Sequence, residues 1–264
     1  MELHLEDKLA LVTGSTAGIG FAIAKALAAE GARVIVNGRN EKRVAGAVAG
    51  IRAAVPAARL ESLPLDLAKA EGATETACRF PQLDVLVNNL GVYEPKPFEE
   101  ITDADWLAII ETNFLSGVRL SRHYLPRMRT RNSGRIVFIS SESAVNVPVE
   151  MIHYGVTKTM QVALARGLAE TTAGTDVTVN TVLAGPTRSE GVERFIAEMA
   201  RTKQIAPEQV EREFFQAVRP SSLLRRFATT DEVAALVVFV ASPLASAVNG
   251  AALRAEGGVL RSIF

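Results

Sequence analysis

The stretch Leu9-Ala10-Leu11-Val12-Thr13-Gly14-Ser15-Thr16-Ala17-Gly18-Ile19-Gly20 decides how the chain is read. Four apolar residues in a row, closed by a glycine cluster, mark a short strand buried on both faces. Residues 18–30 carry on with helical spacing, and Gly31 offers a left-handed stop. A glycine-rich turn between strand and helix lets the backbone close tightly. It also aims the free N–H groups and positive dipole end of the helix at an anion. The glycines are spaced G-x-x-x-G-x-G, unlike the common G-x-G-x-x-G fingerprint. The strand–turn–helix setting is what favours a dinucleotide pyrophosphate over an ordinary turn.

Outward from this unit the alternation repeats. Val34-Ile35-Val36 reads as a second strand and 41–54 as a second helix. Strand-like runs recur near 59–65, 83–88, 134–140, 176–183 and 251–255, with helical patterns near 68–79, 103–130, 152–173 and 231–241. Near-continuous Val/Ile/Leu strands separated by helices predict a doubly wound α/β fold, a parallel sheet covered on both faces. No internal repeat, linker or low-complexity tract interrupts it, so residues 1–264 read as one domain. The exception to the alternation is 186–226, which is charged and carries Phe195, Phe214 and Phe215. Ligands enter such sheets beyond the C-terminal strand ends, so this segment is expected to form a helical substrate lid.

Composition narrows the function classes. Lys+Arg and Asp+Glu both number 29, for a net charge of +0, which gives no reason to expect nucleic acid or an anionic membrane as partner. The single cysteine, Cys78, precludes an internal disulfide and fits a reducing compartment; on an Ala-rich helix it reads as packing. No apolar run approaches the roughly 20 residues of a membrane span. The acidic start Met1-Glu2-Leu3-His4-Leu5-Glu6-Asp7 lacks the basic region of a signal peptide, so the cytoplasm is the expected location. His4 and His123 are isolated, and no spacing of His, Cys, Asp and Glu suggests a metal site.

The second informative stretch is Tyr154-Gly155-Val156-Thr157-Lys158, with Ser141 thirteen positions before Tyr154. Residues at i and i+4 share a helix face. A free phenol titrates at about 10, and a lysine ammonium one turn away should lower that value, readying the hydroxyl to exchange a proton. Ser141 could hold a carbonyl in place for it. A solvent-exposed Tyr–Lys pair would look the same, but the glycine loop and Ser141 favour chemistry. The two motifs together imply hydride transfer between a nicotinamide cofactor and a carbonyl or alcohol. At the end of the second strand, Val36-Asn37-Gly38-Arg39 offers no carboxylate for an adenosine ribose and does offer a guanidinium. That pattern favours NADP(H) over NAD(H), because Arg39 could pair with a 2′-phosphate.

These pieces, in order, resemble the short-chain dehydrogenases/reductases over essentially the whole chain: Thr13-Gly14-x-x-x-Gly18-Ile19-Gly20, Asp66, Asn88-Asn89-Leu90-Gly91, Asn113, Ser141, Tyr154-x-x-x-Lys158 and Asn180-Thr181-Val182. The chain looks like the members of about 250 residues that include 3-oxoacyl-thioester reductases. The resemblance implies a Rossmann-type domain with a seven-stranded parallel sheet, assembled as a homodimer or homotetramer through the helices at 103–130 and 155–173. It implies that Tyr154 is the proton donor in reduction, that Lys158 tunes it and binds the nicotinamide ribose, that Ser141 positions the carbonyl, and that Asn113 supports a water in a proton relay. The cofactor would lie along Gly14, Ser15, Thr16, Gly18, Ile19, Gly20, Asp66, Leu67, Asn88, Leu90, Gly91, Gly185 and Thr187, besides Arg39, Tyr154 and Lys158. Asp66 would face the adenine, Asn88 the adenosine side, and Thr187 the carboxamide.

Two departures stand out. Leu90 replaces the usual alanine of Asn-Asn-Ala-Gly, where a bulkier side chain should shift the loop or the cofactor, and Ala184-Gly185-Pro186 replaces the usual Pro-Gly. His153, beside Tyr154, should point away from it; Glu142 could face substrate or solvent; Arg225-Arg226 read as a solvated turn; Trp106, Ile109 and Ile110 read as a buried helical face. A small carbonyl or alcohol is the expected partner, with 3-oxoacyl thioesters, sugars or polyols, and cyclic ketones all open. The leading reading is an NADPH-dependent carbonyl reductase. An alcohol, polyol or sugar dehydrogenase is the alternative, and a non-catalytic NADP(H) sensor is a distant third. The enoyl-reductase branch is disfavoured, since its tyrosine and lysine lie further apart.

Overall fold

The computed structural model describes residues 2–263; Met1 and Phe264, the ends of the expected domain, lie outside the described residues. In chain order the elements are β1 (Leu9–Val12), α1 (Gly18–Ala29), β2 (Arg33–Asn37), α2 (Glu41–Ala54), β3 (Arg59–Leu63), α3 (Ala70–Arg79), β4 (Val85–Asn88), α4 (Asp103–Ile110) and α5 (Ser116–Thr130). There follow β5 (Gly134–Ser141), α6 (Ile152–Glu170), β6 (Val177–Ala184), β7 (Thr187–Arg188), α7 (Glu190–Lys203), α8 (Pro207–Ala217), β8 (Ala228–Thr229), α9 (Thr230–Ala241) and β9 (Ala252–Ala255).

Seven strands form one parallel sheet in the order β3-β2-β1-β4-β5-β6-β9. Alternate residues of each strand feed two cores. Val12, Val34, Val36, Val87, Val137 and Val182 pack with α1, α2 and α9, while Leu11, Ile35, Leu86, Ile136, Phe138 and Val179 pack with α5 and α6 on the other face. Burial on both faces is why the strands read as unbroken apolar runs instead of alternating ones. The strand order reverses between β1 and β4, and a crevice opens there beyond the C-terminal strand ends.

The expected 103–130 helix is interrupted: α4 passes into a π turn, Glu111–Leu115, before α5 begins. Of the face predicted on α4, Ile109 is buried and Trp106 is half-buried, its ring 6.0 Å from that of His153. Cys78, expected to pack, is instead exposed on α3, because the buried face of that helix runs through Gly72, Ala73 and Thr76. Among the described residues no helix is long and apolar enough to cross a membrane.

The segment after β6 is the helical cap expected from the sequence. Helices α7 and α8 enclose a small core of their own, with Ile196, Val210, Phe215 and Phe227 buried. The rings of Phe214, Phe215 and Phe227 lie 5.0 to 5.1 Å apart. The two-residue pairing of β7 with β8 ties both ends of the cap together beside the main sheet.

Candidate active site

The glycine loop lies at the C-terminal end of β1, at the reversal point. Gly14 and Gly18 adopt φ of 62° and 57°, a region that strains other residues. At Gly20 a Cβ would fall 2.4 Å from Asn89 Nδ2 and 2.5 Å from Gly14 O, so the close seat of α1 on the loop requires glycine. The loop is braced from below. Ser15 Oγ donates to Val12 O at 2.8 Å and accepts from Asn37 N at 2.9 Å, and Asn37 Oδ1 accepts from Gly14 N at 3.1 Å. Asn89 Nδ2 donates to Thr13 O at 2.9 Å and Gly14 O at 3.2 Å. Asn37 and Asn89 are thus structural members of the site that sequence reading missed. Helix α1 starts after Ala17 without any side-chain cap, leaving its first-turn N–H groups for an external anion. Loop shape and uncapped helix fit a dinucleotide pyrophosphate.

Arg39 is exposed just past β2. One turn further on, Arg43 lines a groove of about 370 Å³ with Thr16, Gly18, Phe21 and Glu190. The i, i+4 spacing of Arg39 and Arg43 was the available signal for this second cation. Asp66 Oδ1 accepts from Ala68 N at 3.1 Å, and Leu67 beside it is buried. Ile19 packs against the core under the loop. Asn88 does not turn its side chain toward the loop: its Nδ2 donates to Ser121 Oγ of α5 at 3.4 Å and its Oδ1 has no partner, so an adenosine contact would fall to its main chain. Leu90 is accommodated with its N–H bonded to Thr13 Oγ1 at 2.8 Å and its side chain against the core. Gly185 abuts the chain after β9, where a Cβ would meet Glu256 O at 2.5 Å, and Thr187 Oγ1 donates to Gly185 O at 2.8 Å.

The residues expected to transfer the proton lie together. Ser141 ends β5, while Tyr154 and Lys158 share one face of α6. Lys158 Nζ sits 5.6 Å from the Tyr154 ring centroid and donates to Ile139 O at 2.8 Å and Gln161 Oε1 at 3.3 Å. Burial pushes the lysine down to about 8. Burial outweighs the lowering of the Tyr154 pKa expected from Lys158. Burial holds the phenol above its ordinary value, Glu142 and Tyr93 push the same way, and only the Ser141 hydrogen bond and Arg219 oppose them. The ammonium is bonded to a main-chain carbonyl and an amide 5.6 Å from the ring centroid, so burial prevails at the neutral phenol while the cation stays close enough to act on a phenolate.

Asn113 lies in the π turn, a backbone irregularity common at functional sites. Its Oδ1 accepts from Val92 N at 2.8 Å, and its Nδ2 donates to Val92 O at 2.9 Å and Thr157 Oγ1 at 3.0 Å. Its carbonyl accepts from Gln161 Nε2 at 2.5 Å. Gln161, only 2 % exposed, therefore bridges Asn113 to Lys158 with its own side chain, where the resemblance implies a water. Its place three residues after Lys158, on the same helix face, was the overlooked signal.

Glu142, left open by the sequence, is buried beside Ser141. Its Oε2 accepts from Ser141 Oγ, from Ser143 N at 3.0 Å and from Ser143 Oγ at 3.3 Å. Its Oε1 accepts from Nε of Arg219 at 2.8 Å, so the chain leaving α8 is pinned to the residue next to the serine. Beside Tyr154 stand two exposed apolar side chains, Tyr93 and Val147, the latter packed against Gly155. The Tyr93 ring lies 6.0 Å from that of Tyr154. His153 is buried with Nδ1 unpartnered. Arg226 is not simply solvated: it pairs with Glu232 at 2.8 Å. Among the described residues no cluster of three His, Cys, Asp or Glu could hold a metal ion.

Residues 14–260 match a family model described as enoyl-(acyl carrier protein) reductase. The chain is 46% identical, over the full length of both proteins, to the uncharacterized oxidoreductase YvaG of Bacillus subtilis. It is 35% identical to D-beta-hydroxybutyrate dehydrogenase of Cupriavidus necator, over 96% of this chain and 98% of that protein. The crystal structure of L-sorbose reductase from Gluconobacter frateurii, complexed with NADPH and L-sorbose, superimposes with a TM-score of 0.91 over 100% of both chains at 28% identity. The chain belongs to the short-chain dehydrogenases/reductases, oxidoreductases that act on hydroxyl or carbonyl groups.

Proposed function

We propose that the protein is an NADPH-dependent carbonyl reductase in which Tyr154 donates the proton to the developing alkoxide. The observation that carries this reading is that Ser141, Tyr154 and Lys158 come together at the same C-terminal end of the sheet as the braced glycine loop. A protonated phenol suits reduction, which consumes a proton, better than oxidation, which needs the phenolate. A bound nicotinamide cofactor supplies the hydride. Tyr154 supplies the proton, Lys158 stabilises the phenolate left behind, and Ser141 orients the carbonyl against both. Charge on the carbonyl oxygen grows only as the reaction proceeds, so these groups act on the transition state. The exposed apolar side chains of Tyr93 and Val147 beside Tyr154 suit the flank of an acyl compound, with a 3-oxoacyl thioester as the leading candidate. Alcohol or sugar oxidation is the competing direction. Assembly into two or four copies through α4, α5 and α6 belongs to the same reading; Leu107, 69 % exposed on α4, is an apolar side chain such contact would cover.

The cofactor preference rests on Arg39, just past β2, and Arg43, in the first turn of α2: two guanidinium groups that could pair with a ribose 2′-phosphate, at a strand end, Val36-Asn37-Gly38-Arg39, that carries no carboxylate of its own. Fluorescence titration should give tighter binding of NADPH than of NADH. Arg39→Ala should weaken NADPH about tenfold, or 1.4 kcal/mol, and leave NADH nearly unchanged. Tighter NADH binding by the native protein would sink the preference. The reductase reading itself is tested by the fall in NADPH absorbance with a short 3-oxoacyl thioester, and fails if no carbonyl compound in a panel with sugars and cyclic ketones is reduced.

A further inference from the structure

Glu142 is a charge placed where the reaction would occur. It follows Ser141 directly, shares that residue's hydroxyl, and is 4 % exposed. Away from water a charge acts over longer range than on the surface. Its cation, Arg219, is 8 % exposed and already committed. Nε donates to Glu142, while Nη1 donates to Val218 O at 3.0 Å and lies 3.5 Å from Glu150 Oε1. Two carboxylates therefore share one guanidinium. The other nearby cation, Lys158, is turned to Ile139 O and Gln161 beside the Tyr154 ring.

A carbonyl compound carrying its own carboxylate would meet Glu142 as a like charge. To gain Arg219 it would have to share a single positive charge that Glu142 and Glu150 already balance. Beside Tyr154 the exposed apolar side chains of Tyr93 and Val147 suit an uncharged flank.

Resting on the carbonyl-reductase reading, we propose that Glu142 is a specificity-determining residue: its carboxylate beside Ser141, with Arg219 engaged, makes the pocket select uncharged carbonyl compounds over those bearing a carboxylate near the reacting carbon. A pair that merely tied the lid down would affect neutral and anionic substrates alike, so the ratio between them is the telling quantity.

The experiment compares 3-oxobutanamide with 3-oxobutanoate, alike in size and different in one charge, by kcat/KM with NADPH at pH 7. The native protein should prefer the amide by about tenfold or more. Glu142→Gln keeps an oxygen for Arg219 and removes the charge, and should raise the acid-to-amide ratio about tenfold. Equal or better turnover of the acid by the native protein would overturn the proposal and make Arg219 a receptor for substrate anions; this arm needs no variant. An unmoved ratio in Glu142→Gln would also overturn it. Reduction of a 3-oxoacyl thioester with neither small compound reduced would overturn it too, because discrimination would then lie in the thioester arm. If no carbonyl compound at all is reduced, the reductase reading itself falls, and the proposal with it.

Discussion

Gln161 shows how a single side chain can join Asn113 and Lys158, two residues of the proposed site that the motif leaves separate. Its amide accepts from Lys158 and donates to the Asn113 carbonyl, so it holds the ammonium in place between α6 and the π turn. Lys158, held down to about 8, is charged below that pH and loses its proton as pH rises through it. Reduction leaves a phenolate on Tyr154 that the ammonium stabilises, so the rate should decline above about pH 8. Gln161→Leu removes an acceptor that favours the ammonium, and the decline should begin about half to one pH unit lower. Gln161→Glu places a carboxylate there and should move it the other way. Identical pH–rate profiles in all three proteins would deny Gln161 any part in positioning Lys158. At this scale the sequence was legible where chemistry follows a fixed spacing, as in Tyr154-x-x-x-Lys158. It left Glu142 open between substrate and solvent, because its burial depends on Arg219 arriving from 77 positions away. It misjudged the Tyr154 environment because burial, which local spacing does not reveal, outweighs the neighbouring cation.

Elements followed their apolar patterns closely, because a sheet buried on both faces writes its strands as plain hydrophobic runs. The π turn at Glu111–Leu115 escaped notice: one extra residue per turn hardly alters a helical apolar pattern, yet it is what presents the Asn113 carbonyl. Cys78 was misplaced for a related reason, since an alanine-rich helix gives little contrast between its faces. The lid was recognised from broken alternation and charge, but its internal aromatic core was not. That core implies that α7 and α8 open as a unit. Phe227→Ala removes a ring packed on Phe214 and Phe215 and should cost the lid about 3–5 kcal/mol. Hydrogen exchange should then quicken in α7 and α8 while the amides of β1, β4 and β5 keep their protection. Equal acceleration in the sheet would show that the lid is not an independent cooperative unit.

At the scale of the molecule, the parallel central strands bring the glycine loop after β1 and the Ser141–Tyr154–Lys158 group after β5 to the same C-terminal end of the sheet, although they are some 140 residues apart in sequence. The crevice, the braced loop and the uncapped α1 form one half of the site; β5, α6 and the lid form the other. The account makes the phenol of Tyr154 the proton donor and gives it no part in shaping the loop that holds the cofactor. The most direct test is therefore Tyr154→Phe, with NADPH affinity and turnover of a reducible carbonyl compound measured on the same preparation. The account predicts an unchanged NADPH dissociation constant and a loss of about a thousandfold or more in kcat. Near-native turnover by the variant would contradict it.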